Sequence, residues 1–114
     1  MIIYALVARG SLILAEYSTF EGSFTTLAQR IIAQSKPSKS KKVIVKEGCS
    51  FTFFSEDDFT FLCLTKFNVP KDITYRFLDQ LAELFFSNHA KFEQNSTIKS
   101  FGTQFSKIIQ ELIV

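Results

Sequence analysis

Two short stretches with almost no polar residue, Ile2-Ile-Tyr-Ala-Leu-Val-Ala8 and Phe59-Thr-Phe-Leu-Cys-Leu-Thr65, limit what this chain can fold into more than any other feature. Each is too short for a typical helix, and neither alternates apolar with polar residues as a half-exposed strand would. Such runs suit strands covered on both faces and therefore central in their sheet. A sheet with two strands of this kind needs apolar cover on both sides. The rest of the sequence has to supply it.

Three amphipathic stretches do so. The first opens at Gly22-Ser23, with Ser23 as N-cap, and places Phe24, Leu27, Ala28, Ile31 and Ile32 on one stripe at helical spacing. Pro37 stops it within the polar loop 35–42. The second follows Pro70, a residue a first helical turn accepts, with Asp72 at the positive end of the helix dipole. Its stripe is Ile73, Phe77, Leu81, Leu84 and Phe85, reaching about Asn88. The third aligns Ile98, Phe101, Phe105, Ile108, Ile109 and Leu112. Gly102 lies inside it at a cost of ~1 kcal/mol relative to Ala, which a close approach of that helix to the sheet explains.

The remaining segments read as strands. Gly10-Ser11 is a hairpin turn, since Gly tolerates the positive φ that two-residue turns need. Leu12–Tyr17 returns from it, with polarity appearing at Glu16. Strands at about Val43–Lys46, Ser50–Ser55 and Phe59–Thr65 are separated by Gly48 and by Glu56-Asp57-Asp58. The order ββαβββαα predicts an α+β fold of one domain, residues 1–114. Its five-stranded, mainly antiparallel sheet is sandwiched between helices on both faces.

Charge and chemistry narrow the function. A net charge of +2 is too small to suggest nucleic-acid binding. The longest apolar run, Met1–Ala8, falls well short of the ~18 residues of a membrane span. No basic segment precedes it, as a secretory signal would require. Cys49 and Cys63 lack metal-ligand spacing and cannot make a disulfide framework, which suits a cytosolic address. His89, the one histidine, reads as a helix-end surface residue. Cys63 reads as an inert core thiol, and Cys49, beside a turn, as more accessible. There is no phosphate loop or dinucleotide fingerprint. Glu56-Asp57-Asp58 lacks calcium-loop spacing and reads as a solvated turn. No catalytic group, metal or cofactor is expected.

Two surface features remain. Lys36, Lys39, Lys41 and Lys42 form a basic cluster, either a solvated loop or a patch for an anionic membrane; the solvated loop is the simpler reading. The edge strand Val43-Ile44-Val45-Lys46 must be covered, blunted or used, and lysines on both flanks blunt it. A groove between the first helix and this strand would accept a peptide. Alternatively, these valines finish the core.

The opening Tyr4-Ala-Leu-Val-Ala-Arg-Gly10, then Leu14-Ala-Glu-Tyr17 and Phe20-Glu-Gly-Ser-Phe24, resemble the start of longin-type vesicle-associated R-SNAREs. Phe61-Leu-Cys-Leu-Thr65, the Pro70-led helix and the final amphipathic helix resemble the same family, so the likeness covers essentially the whole chain. It implies a profilin-like longin fold that regulates fusion and sorting in vesicle trafficking, on the cytosolic face of vesicle, endosomal or plasma membranes. It also implies partners: the protein's own SNARE motif, other SNAREs, or trafficking adaptors, held in the groove between first helix and third strand. By position that groove takes Leu27, Ile31, Ile32, Val43 and Val45. Where Val45 stands, related sequences often have an aromatic residue. With no heptad-bearing motif or anchor before Val114, the chain reads as a soluble, excised domain, reaching the membrane only through a further segment. The alternatives are a longin-like scaffold subunit of an adaptor or tethering complex, and a small enzyme.

Overall fold

The computed structural model describes residues 2–20, 24–66, 68–93 and 98–113, with side chains described for all of these except 89–93 and 98–101. The elements run β1 (Ile2–Arg9), β2 (Leu12–Ser18), α1 (Phe24–Gln34), β3 (Lys42–Lys46), β4 (Cys49–Glu56), β5 (Phe59–Lys66), α2 (Lys71–Glu93) and α3 (Ile98–Ile113). The five strands are ordered β2-β1-β5-β4-β3, every neighbouring pair antiparallel. The two apolar runs, β1 and β5, are thus paired side by side in the interior of the sheet. The hairpins Gly10-Ser11, Glu47-Gly48 and Asp57-Asp58 are two-residue turns, with positive φ at Gly10, Glu47, Gly48, Asp57 and Asp58. The acidic triplet therefore supplies a turn.

Alternation along the inner strands divides the core in two. Tyr4, Leu6 and Ala8 of β1, Leu62 and Leu64 of β5, and Phe51 and Phe53 of β4 pack under Ala28 and Ile31 of α1. Ala5, Val7, Phe59, Phe61 and Cys63 pack on the other face against Phe77, Leu78, Leu81 and Phe85 of α2 and Phe105 and Ile109 of α3. Phenylalanine dominates that second layer. Phe59 and Phe85 have ring centroids 4.7 Å apart, and Phe85 meets Phe105 edge-on at 5.6 Å. Such tilted pairs contribute about 0.5–1.5 kcal/mol each beyond their area burial.

Gly102 has the close neighbour its position implied. The β1–β2 register shifts between Val7, facing Ala15, and Ala8, facing Ile13, which makes Leu14 the extra residue of a β-bulge. The α3 backbone comes so near that a Cβ on Gly102 would lie 2.6 Å from the Leu14 carbonyl oxygen.

Helix α2 departs from expectation. Its buried face is Thr74, Phe77, Leu78, Leu81, Ala82 and Phe85, whereas Ile73 is 50% exposed. Thr74 turns towards the sheet with its hydroxyl on the Pro70 carbonyl, 3.4 Å away. Ile73, about 100° back around the helix, is thereby turned outward. The helix also continues past Asn88 to Glu93, since 89–93 contain neither Gly nor Pro. Ser23 lies outside the described residues, and the side chains of His89, Ile98 and Phe101 outside the described side chains.

Candidate groove between the first helix and the third strand

Helix α1 is held to the sheet by polar bonds on one flank. Glu16 of β2 accepts hydrogen bonds from the Tyr4 hydroxyl (2.7 Å) and from Thr25 Oγ1 (3.1 Å to each carboxylate oxygen). One turn on, Gln29 Nε2 donates to the Ser11 carbonyl at 3.4 Å. The Phe24 ring packs on Tyr4 at 5.7 Å between centroids. Burial raises the Tyr4 phenol above its ordinary pKa, and the hydrogen bond to Glu16 raises it further. It stays protonated and keeps donating. Ser35 ends the helix, its hydroxyl bonding the Ile31 carbonyl at 2.8 Å.

The opposite flank has no such tie. Among the described residues no hydrogen bond joins α1 to β3. Leu27 lies about 200° around the helix from Thr25, on the side of α1 away from β2. It is half-buried, and Ile31 beside it is buried. On the sheet side, Ile44 and Cys49 are half-buried and pack against the same core layer as α1. The half-buried side chains on this flank, Leu27, Ile44 and Cys49, thus share one apolar layer beside the β3 edge.

The five groove residues expected from sequence do not share one face. Leu27 and Ile31 belong to the α1 core layer. Ile32 lines a different cavity of ≈ 640 Å³ with Arg9, Gly10, Ser11 and the 35–39 loop. Val43 and Val45 stand opposite Thr52 and Ser50, whereas Ile44 stands opposite Phe51. Directly opposed residues of an antiparallel pair share a face, and Phe51 belongs to the α1 layer. Ile44 thus faces α1, and the valines face the other side of the sheet, Val45 with 60% of its surface exposed. The expected parity of β3 is reversed. Ile44 and Cys49, neither of them in the expected set, are the residues of this hairpin that pack on the α1 layer.

The lysine cluster is divided in the same way. Lys41 folds onto the α2 face, 2.8 Å from Asp79 and over the rings of Phe54 (4.9 Å) and Tyr75 (5.4 Å). Lys42 opposes Phe53 and Lys46 opposes Cys49, which puts both on the α1 face. Lys36 and Lys39 stay exposed in the loop.

Cys63 is fully buried, and burial pushes its thiol up, away from the thiolate. Among the described residues no group of His, Cys, Asp and Glu is placed to hold a metal ion. None of the described helices is long and apolar enough to cross a membrane.

Compared with known proteins, residues 14–109 match the family described as Longin, a regulated-SNARE-like domain. Vesicle-associated membrane protein 7B of Dictyostelium discoideum is 31% identical over 112 residues, covering 98% of this chain and 43% of that protein. Vesicle-associated membrane protein 721 of Arabidopsis thaliana is 30% identical over 114 residues, covering 96% and 52%. Vesicle-associated membrane protein 7A of Dictyostelium discoideum is 32% identical over 111 residues, covering 96% and 50%. The chain spans about half the length of the curated relatives it matches.

Proposed function

Because the chain belongs to the Longin family, the regulated-SNARE-like domain found in vesicle-associated membrane proteins, we propose that it regulates a membrane-fusion protein by reversible masking. Its α1–β3 groove holds a SNARE-type segment, the protein's own in a full-length chain or that of a trafficking partner, and releases it when fusion or sorting requires. The observation that carries this reading is the one-sided attachment of α1. Polar bonds fix the helix to β2, while the flank towards β3 leaves Leu27, Ile44 and Cys49 half-exposed over an apolar floor. A segment that runs on over the β3 edge meets Val43 and Val45 on the reverse face, which gives the exposed Val45 a role. The reading is of a binding module and not of an enzyme, in keeping with the buried Cys63 thiol.

Modest affinity is sufficient for such a mask. A groove with Kd ~10 μM, facing a tethered segment at a local concentration of ~1 mM, is occupied ~100-fold over empty, or about 2.7 kcal/mol. A few apolar side chains of ordinary size supply that.

Cys49 offers a native reporter, since it is half-buried against the α1 layer and the other cysteine is buried. A SNARE-motif peptide from a vesicle-associated relative, added in trans, is expected to slow modification of Cys49 by a thiol reagent. Ile44→Ser should remove the protection while circular dichroism stays native. Val43→Asp with Val45→Asp should weaken it if the segment wraps the edge. Binding measured by calorimetry with no protection of Cys49 would place the peptide elsewhere and overturn the groove.

A further inference from the structure

The groove's walls share one charge sign. Residues 24–46, which build α1, the following loop and β3, contain Arg30, Lys36, Lys39, Lys41, Lys42 and Lys46 and no Asp or Glu. That is +6 in a chain of net +2, leaving −4 for the remainder. The fold then sorts these cations. Lys41 is withdrawn to the α2 face and paired with Asp79. Lys42 and Lys46 flank Ile44 on the face that looks towards α1. Arg30 follows Leu27 by three residues, and side chains at that spacing are neighbours on one helix face. All three are exposed, and none is in an ion pair among the described residues. An apolar floor is thus bordered by Arg30 on one wall and by Lys42 and Lys46 on the other.

From this juxtaposition we infer that the groove selects an acidic amphipathic segment, one whose apolar stripe meets Leu27, Ile31 and Ile44 while flanking Asp or Glu side chains meet Arg30, Lys42 and Lys46. The inference rests on the groove reading above and adds the chemistry of the occupant. A protein segment suits the site better than a membrane surface, because Leu27 and Ile44 are half-buried while the three cations beside them are exposed. A bilayer would touch the lysines and leave Leu27 and Ile44 unused. Exposed charges of this kind act mainly on encounter rate and on discrimination between partners, and salt screens them over ~10 Å. Binding is therefore fast and salt-sensitive, with an apolar component that salt leaves in place.

The test uses the whole 114-residue domain and two synthetic peptides sharing one helical Leu/Ile stripe. The first has Asp and Glu at its polar positions, the second Lys and Arg. Titration calorimetry at low salt is expected to favour the acidic peptide at least tenfold, with the difference shrinking as salt is raised. The triple change Arg30→Gln, Lys42→Gln, Lys46→Gln should weaken the acidic peptide by about tenfold and leave the fold intact, since exposed charge removals each change stability little. Equal binding of both peptides, lost with Ile44→Ser but indifferent to the triple change, would keep the groove and overturn the charge selection. Binding of neither peptide, with Cys49 unprotected, would overturn both readings. Flotation with vesicles of phosphatidylcholine and phosphatidylserine in equal parts completes the test. Vesicle binding that depends on the three cations and excludes the acidic peptide would assign them to a membrane and overturn the inference.

Discussion

Gly102→Ala sets two effects of opposite sign against each other. In an isolated helix the change would stabilise by about 1 kcal/mol, because Ala loses less backbone freedom than Gly. In this fold the new Cβ would lie 2.6 Å from the carbonyl oxygen of Leu14. An ordinary carbon–oxygen contact begins near ~3.3 Å, so α3 and β2 must separate by about 0.7 Å. The obstructing atom belongs to the backbone of a bulge and cannot rotate away. Phe105 and Ile109, both fully buried, move with α3 and lose part of their packing on β1 and α2. Overpacking of this sort costs about 1–3 kcal/mol. Taking the upper part of that range and offsetting it by helix propensity leaves a net loss of about 1–2 kcal/mol. At this chain length 1 kcal/mol corresponds to roughly 4 °C in Tm, so thermal unfolding should shift down by about 4–8 °C. Gly102→Val should lose more, since it keeps less of the propensity gain and brings two further carbons. Gln104→Ala, on an exposed position of the same helix, serves as the control and should be neutral or slightly stabilising. A Gly102→Ala protein with unchanged or higher Tm would refute the close-contact argument. It would mean that α3 can slide off the bulge at no cost.

Other expectations follow from named groups. Removing the Glu16 carboxylate (Glu16→Ala) leaves the buried Tyr4 hydroxyl without its acceptor and should cost about 1–3 kcal/mol by urea unfolding; adding Tyr4→Phe should recover most of that loss. Tyr4 and Cys63 both have folded pKa values raised above their ordinary 10.0 and 9.0. Their stabilisation is complete below those values and declines as the unfolded chain ionises, at up to ~1.4 kcal/mol per pH unit per group. Urea midpoints should be flat from neutral pH to about 9 and fall beyond it, and a level midpoint to pH 11 would contradict the burial of both groups. Lys41→Met removes a half-buried ammonium from Asp79, which is 62% exposed, and from two aromatic faces. The loss should stay at or below about 1 kcal/mol, readable as a small drop in Tm that salt diminishes.

How much of this was legible in the sequence depended on whether one physical signal dominated. The central strands were, because Ile2–Ala8 and Phe59–Thr65 leave no face for water, and β1 and β5 are buried almost throughout. Gly102 was, because a glycine inside an apolar helical stripe needs a contact to justify it. The inner face of α2 was legible only from its second turn. Ile73 fits the same spacing as Phe77 and Leu81, yet a threonine holds the inward position in the first turn. Parity on β3 was not legible. Both Val43/Val45 and Ile44 are apolar, so alternation cannot say which set faces α1. The decision falls to the pairing of Ile44 with Phe51, which no local pattern encodes. For the same reason the sequence reading set the valines, and not Ile44, beside α1.

The pairing of β1 with β5 sets an order of events in time. Val7 finds its partner in Phe61, and everything between has to be made before the two can meet. At ~5–20 residues per second, ribosomal synthesis separates them by roughly 3–10 s. During that interval β1 can form its hairpin with β2 but presents an unpaired apolar edge on its other side, the arrangement that invites pairing with another nascent chain. The three-strand meander of β3, β4 and β5 assembles from near neighbours once it emerges, and folding ends when the two halves join along the most apolar seam in the molecule. The same two runs that make the finished sheet stable are the ones that need protection until they meet.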